Sequence, residues 1–130
     1  MPILSENRPG SVTVQSVADR LVAVTRIYGL AGRREELRAL MRETEQRTGA
    51  EPGCRLYRFS ATLDDADAYL HLQEWNSAAD FAAHQDSSAF SDYQRTLFDL
   101  LARPSEMAIH RVAETTVPQP SALIDPRAAD

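Results

Sequence analysis

Tyr69-Leu70-His71-Leu72-Gln73-Glu74-Trp75 changes chemical character at every second residue. Successive side chains of a β-strand point to opposite faces, so Tyr69, His71, Gln73 and Trp75 share one face and Leu70, Leu72 and Glu74 the other. Just upstream, Asp64, Asp65 and Asp67 mark a loop, and Cys54-Arg55-Leu56-Tyr57-Arg58-Phe59-Ser60 reads as the preceding strand, entered through the turn Glu51-Pro52-Gly53.

Further upstream the period changes. Leu37, Leu40, Met41, Thr44 and Thr48 recur at helical spacing, with Glu35 and Glu36 in the first turn and Arg47 near the end, where the helix dipole favours each charge. Gly49 is expected to stop this helix. Leu21-Val22-Ala23-Val24-Thr25-Arg26-Ile27-Tyr28 is rich in apolar and β-branched residues and reads as a strand buried on both faces, broken by Gly29 and Gly32. Downstream of Trp75, Asn76 or Ser77 caps a short helix running to His84. A second helical stripe carries Phe90, Tyr93, Leu97 and Leu101, Pro104 stops it, and Met107 to Val112 reads as a last strand.

The order β-α-β-β-α-β is the split βαβ plan, an α+β ferredoxin-like antiparallel sheet with helices on one face. The other face of such a sheet needs a cover. Leu70 and Leu72 would be exposed there in a monomer, and this is the physical case for a homodimer. Residues 19–113 hold the periodic patterns. Residues 1–18 form an N-terminal extension in which Val12, Val14 and Val17 suggest an extra strand. Residues 114–130, with Pro118, Pro120 and Pro126, read as an extended C-terminal tail that stays mobile or lies across the partner subunit through Val117 and Leu123-Ile124.

Composition excludes several classes. The 130 residues are 43% hydrophobic and 25% charged, which fits one globular domain. Nineteen acidic against fourteen basic residues leave a net charge of −5. A phosphate backbone would be repelled on average, so no nucleic-acid partner is expected. The single cysteine, Cys54, allows no internal disulfide, and the opening residues lack the apolar core of a signal peptide. No apolar run is long enough to span a membrane. The expected setting is the cytoplasm. The three histidines, His71, His84 and His110, are too scattered for a helical metal pair, and no Gly-rich nucleotide motif is present.

Glu51-Pro52-Gly53-Cys54-Arg55-Leu56-Tyr57, then Glu74-Trp75-Asn76-Ser77, then Phe81-Ala82-Ala83-His84, then Phe90 resemble the successive signatures of antibiotic biosynthesis monooxygenase domains over roughly residues 20–113. The resemblance implies a dimeric α/β barrel. It also implies a cofactor-independent monooxygenase acting with O₂ on a small aromatic substrate such as an aromatic polyketide, anthrone or quinol. In that chemistry the substrate loses a proton, the anion gives an electron to O₂, and the radical pair recombines. The protein supplies a dry pocket, a means of deprotonation and stabilisation of the anion.

For the site, His71 and Trp75 are the candidate catalytic residues, expected to line one pocket between sheet and helices. His71 is read either as a general base, its free pKa of ~6.5 making the rate rise with pH around neutrality, or as a partly buried His bonded to backbone. The anthrone-oxidising relatives carry Asn at this place. Trp75 is either a wall against which a substrate stacks or a space-filling core residue. Tyr57, Tyr69, Phe81, His84, Phe90 and Arg95 are candidate substrate-binding residues, each with a structural alternative: packing for Tyr57, Tyr69, Phe81 and Phe90, a helix-end cation for His84. Arg95 matches by distance from the Trp an Arg of the anthrone-oxidising relatives, yet lies well off the Phe90–Leu101 stripe and reads as solvated. Three rival functions remain: a small-molecule-binding barrel without turnover, a polyketide cyclase-like enzyme, and haem degradation. Leu21 to Tyr28 contain no Asn and residues 88–101 no His, which counts against haem degradation.

Overall fold

The computed structural model describes residues 12–15, 19–118 and 127. They belong to two compact units, one spanning 19–111 and one made of the two terminal segments.

In the larger unit, β2 (Leu21–Tyr28), β3 (Cys54–Ala61), β4 (Ala68–Trp75) and β5 (Glu106–Arg111) form an antiparallel sheet in the order β3-β4-β2-β5. Helices α1 (Arg34–Gly49), α2 (Ala78–Gln85) and α3 (Ser88–Phe98) complete it. This is the ferredoxin-like α+β plan. The register sets side chains in rows across the sheet. One row on the helix-covered face runs Phe59, His71, Thr25, Met107, and the next runs Tyr57, Gln73, Ala23, Ile109.

Burial follows this one-sided covering. Tyr69, His71, Gln73 and Trp75 are buried, whereas Leu70 is 41% exposed. In β2, Leu21, Ala23, Thr25 and Ile27 are buried but Val22 and Val24 only partly, and Arg26 is exposed. The expected two-sided burial of β2 is therefore corrected for the described residues: its helix-facing side chains are buried, whereas those on the other face are half-buried or exposed. Two apolar clusters form beneath the helices. Leu21, Ala23, Tyr57, Trp75 and Phe81 make one. Ile27, Leu37, Met41, Tyr69 and Leu100 make the other, and Phe59 packs against both.

Local chemistry explains the element ends. Ser77 caps α2, its hydroxyl accepting from the Asp80 amide at 3.0 Å, and Ser87 caps α3 through the Phe90 amide at 3.1 Å. Gly49 does not stop α1 from outside. It is the last helical residue, with Ala50 as right-handed cap. Gly53, at φ +80, is the residue of this turn that needs to be glycine, since a Cβ would also run into the Asp80 carboxylate. The turn, the end of β4 and the start of α2 are thereby locked together, with the Asn76 amide donating to the Gly53 carbonyl at 2.8 Å.

In the smaller unit, β1 (Val12–Gln15) pairs antiparallel with β6 (Thr115–Pro118), Thr13 opposite Val117. The start of the tail is thus ordered as a strand on the chain's own N-terminal segment, a partner that the sequence had not suggested. Val17 and Leu123-Ile124 lie outside the described residues.

Candidate functional site

A cavity of about 540 Å³ lies between α3 and the helix-covered face of the sheet. The sheet contributes Thr25 and Ile27 from β2, His71 and Gln73 from β4 and Met107 from β5. Helix α3 contributes Phe90, Tyr93, Gln94, Leu97 and Phe98. Leu101, Pro104 and Ser105 close it from the segment that leads into β5, and Gln85 from the end of α2. Phe98 and Met107 are 78% and 44% exposed, so its mouth lies between the end of α3 and β5.

His71 sits in the floor. Its ring stacks on Phe59 at 3.9 Å between centroids and 12° between planes, and meets Tyr57 edge-on at 4.4 Å. Thr25 is its register partner on the other side. Burial, and after it the nearby His84, lowers the His71 pKa to about 3. The imidazole is neutral near pH 7, and its Nε2 is buried without a partner. The expected inflection at ~6.5 is corrected accordingly, because the ring lacks both the solvent and the counter-charge that its protonated form requires. Burial also pushes the Tyr93 phenol upward, so both titratable residues lining the cavity are uncharged near neutrality.

The other sequence candidates divide. Phe90 lines the cavity with His71. Trp75 is fully buried one row beyond Gln73 and does not reach the cavity. Its indole Nε1 donates to Gln73 Oε1 at 3.1 Å, and its ring contacts Phe81 and His84. His84 is 2% exposed, stacks on Trp75 at 4.9 Å, meets the tilted Phe90 ring at 4.8 Å, and its Nδ1 lies 3.0 Å from Glu51 Oε2. Since an ionised carboxylate only accepts, this contact fixes the proton on Nδ1. Tyr57, Phe81 and Trp75 share one apolar cluster, and burial raises the Tyr57 phenol pKa. Tyr69 belongs to the other end of the sheet, where its hydroxyl accepts from Arg38 Nε at 3.0 Å and its ring lines a separate pocket of about 220 Å³ with Arg38 and Glu45. Arg95 is exposed, pairs with Asp92 at 3.5 Å, and stands apart from the cavity.

Sequence reading missed Phe59, Thr25, Gln73, Gln94 and Ser105 as site residues. Phe59 was within reach, because alternation along β3 puts it on the face of Tyr57. Thr25 required the β2–β4 register, which no single strand encodes. Among the described residues no group of three or more His, Cys, Asp or Glu could hold a metal ion, and no helix is long and apolar enough to cross a membrane.

The antibiotic biosynthesis monooxygenase family model matches residues 20–96, more than half of the chain. The chain belongs to that family. It is 28% identical over 102 residues to an uncharacterized protein of Synechocystis sp., covering 78% of this chain and 69% of that one. Among solved structures, a Methanosarcina mazei Go1 protein superposes with TM-score 0.70 at 21% identity, covering 74% of this chain and 95% of that one. A Mycobacterium tuberculosis protein gives 0.67 at 24% identity, over 72% and 94%. A Nitrosomonas europaea protein named for the same family gives 0.69 at 18%, over 73% and 91%. At these identities the superpositions establish the fold.

Proposed function

We propose that the cavity binds a small hydroxylated aromatic compound and that His71 assists its oxygenation by O₂ without a bound cofactor. The observation that carries this reading is the buried, unpartnered Nε2 of His71 in the floor of a mainly apolar cavity of about 540 Å³. The ring accepts a hydrogen bond from the substrate as it ionises. Free of ligand, the imidazole resists protonation because burial leaves its cation unpaired. An oxyanion at hydrogen-bond distance supplies the missing counter-charge, so the proton moves within an ion pair. The substrate anion then passes one electron to O₂, and the radical and superoxide combine into a peroxide at the ring carbon. His71 returns its proton to the peroxide, and loss of water with the ring C–H proton leaves the quinone. One O₂ is consumed per substrate, and one oxygen atom leaves as water.

Oxygen uptake with 1,8-dihydroxyanthrone tests this. The expected result is uptake above the protein-free rate, one O₂ per anthrone without free hydrogen peroxide, and a strong loss in His71→Ala. Uptake no faster than without protein sinks the oxygenase reading. The lowered basicity of His71 favours a second reading, a binding protein without turnover, whose mark is saturable ligand binding without oxygen uptake.

The same reading places the protein in the cytoplasm as a homodimer. The outer sheet face offers Leu70, Leu72, Val22 and Val24, rimmed by Arg26, Arg58, Glu74 and Glu106. Opposite charges around an apolar centre suit a two-fold contact with a second copy. Residues 19–113 are taken as the folding domain, with the extension before it and the tail after it.

A further inference from the structure

Five buried side-chain polar atoms among the described residues lack a hydrogen-bond partner, and three belong to residues lining this one cavity: Thr25 Oγ1, His71 Nε2 and Ser105 Oγ. An orphaned buried polar atom destabilises a fold unless something outside the protein satisfies it. Thr25 faces His71 across β2 and β4 and Met107 across β2 and β5, and Ser105 lies two residues before Met107. All three line the same cavity, Thr25 and His71 from the sheet and Ser105 from the segment that leads into β5.

No Asp, Glu, Lys or Arg stands among the residues lining the cavity. Its remaining polar side chains are the three amides Gln73, Gln85 and Gln94 and the Tyr93 phenol. An anionic ligand group drawn into it would leave water with no cation to meet it, at a large free-energy cost. Arg95 is turned to solvent and paired with Asp92.

We infer that the cavity selects an uncharged aromatic ligand whose oxygens are read by the Thr25 and Ser105 hydroxyls beside His71, and that it rejects ligands bearing a carboxylate. This inference rests on taking the cavity as the ligand site, and it goes beyond the oxygenation proposal by fixing the ligand's charge and naming two specificity residues. Hydroxyls suit the task because each both donates and accepts, so they meet either a carbonyl or a phenol. His71 then bonds a ligand oxygen that enters neutral.

The test uses a matched pair of probes, 1,8-dihydroxyanthraquinone and 4,5-dihydroxyanthraquinone-2-carboxylate, titrated calorimetrically into the full chain at neutral pH. The uncharged compound is expected to bind at least roughly tenfold more tightly. Thr25→Val, close to isosteric, and Ser105→Ala should each weaken it about three- to tenfold, while Thr25→Ser retains the hydroxyl and the affinity. Gln94 is exposed at the cavity rim, so Gln94→Arg should narrow the gap by supplying a cation to the carboxylate. Equal or tighter binding of the carboxylate, unchanged affinity in both hydroxyl-deleted variants, or no binding of either probe would overturn the inference. Because binding is read without oxygen, selectivity with no oxygen uptake would remove only the oxygenase reading. Oxygen uptake without selectivity would remove only this one.

Discussion

His71 stands where three influences meet: the Phe59 ring stacked on it, Thr25 beside it, and the cavity above. With its pKa lowered to about 3, its protonated form is absent from the free protein throughout the range where enzymes are usually assayed. The acid limb of kcat/KM reports free-enzyme groups, so no inflection near 6.5 is expected, and kcat/KM should be flat between about pH 5 and 8 as far as His71 is concerned. His71→Ala should lower kcat roughly 10²–10⁴-fold, the usual share of proton transfer. Steady-state oxygen uptake across that range checks both. The same lowered pKa acts on stability. Between the folded value and the unfolded ~6.5 the unfolded chain binds the extra proton, so stability is full above ~6.5 and falls on acidification, by at most about 1.4 kcal/mol per pH unit from this group. Urea titrations at several pH values should show that slope reduced in His71→Asn. Trp75 is of a different kind. Fully buried and bonded to Gln73, it supports the floor without touching the cavity. Trp75→Ala should cost about 3–5 kcal/mol of stability. Trp75→Phe should keep most of the packing but leave Gln73 Oε1 unpaired, costing about 1–3 kcal/mol. Denaturant midpoints of the two variants separate these losses.

At the scale of elements, the terminal strands make the clearest prediction. β1 and β6 pair with each other and belong to a unit distinct from residues 19–111. Deleting the chain from Glu114 removes β6 while sparing the four-stranded sheet and its three helices. The truncated protein should keep its circular dichroism and a cooperative melt, and its loss of folding would show that the domain extends past residue 113. Sequence patterns revealed most of these elements because each announces itself locally. β4 alternates, α1 has its apolar stripe and first-turn acids, and Ser77 caps α2. The β1–β6 pairing was not legible, because its partners lie about a hundred residues apart and four-residue strands carry little pattern of their own. The site was legible only in part for the same reason. Alternation put His71 and Trp75 on one face, but their face is longer than the cavity. α3 overlies the His71 row, while α2 and the turn at Gly53 seal the Trp75 end with Phe81 and His84. Which row lies beneath an opening is a property of helix placement, and strand period does not contain it.

For the whole molecule, the sheet face turned away from the three helices sets the last expectation. On that face the rows are Arg58, Leu72, Val24, Ala108 and, beside it, Ser60, Leu70, Arg26, Glu106. The apolar residues lie on the central strands β2 and β4, and much of the charge sits around them. Arg55 and Arg20 already engage Glu74 at 3.0 and 3.7 Å, which holds that part of the rim in place. A flat apolar centre of this kind on a small domain gains more from a second copy than from water, since a chain this size buries a modest share of its surface alone. Two sheets packed face to face should bury on the order of 1,200–2,000 Å² in total. Sedimentation at micromolar concentration should give twice the 14.5 kDa chain mass. Leu72→Glu puts a charge into the centre of the face without touching the helix-covered core, and should shift the protein to monomer while leaving its circular dichroism intact. A wild-type monomer, or a Leu72→Glu protein that still sediments as a dimer, would move the contact to another surface. The cavity lies on the opposite side of the sheet, so the monomeric variant should still bind 1,8-dihydroxyanthraquinone. That outcome separates assembly from ligand recognition.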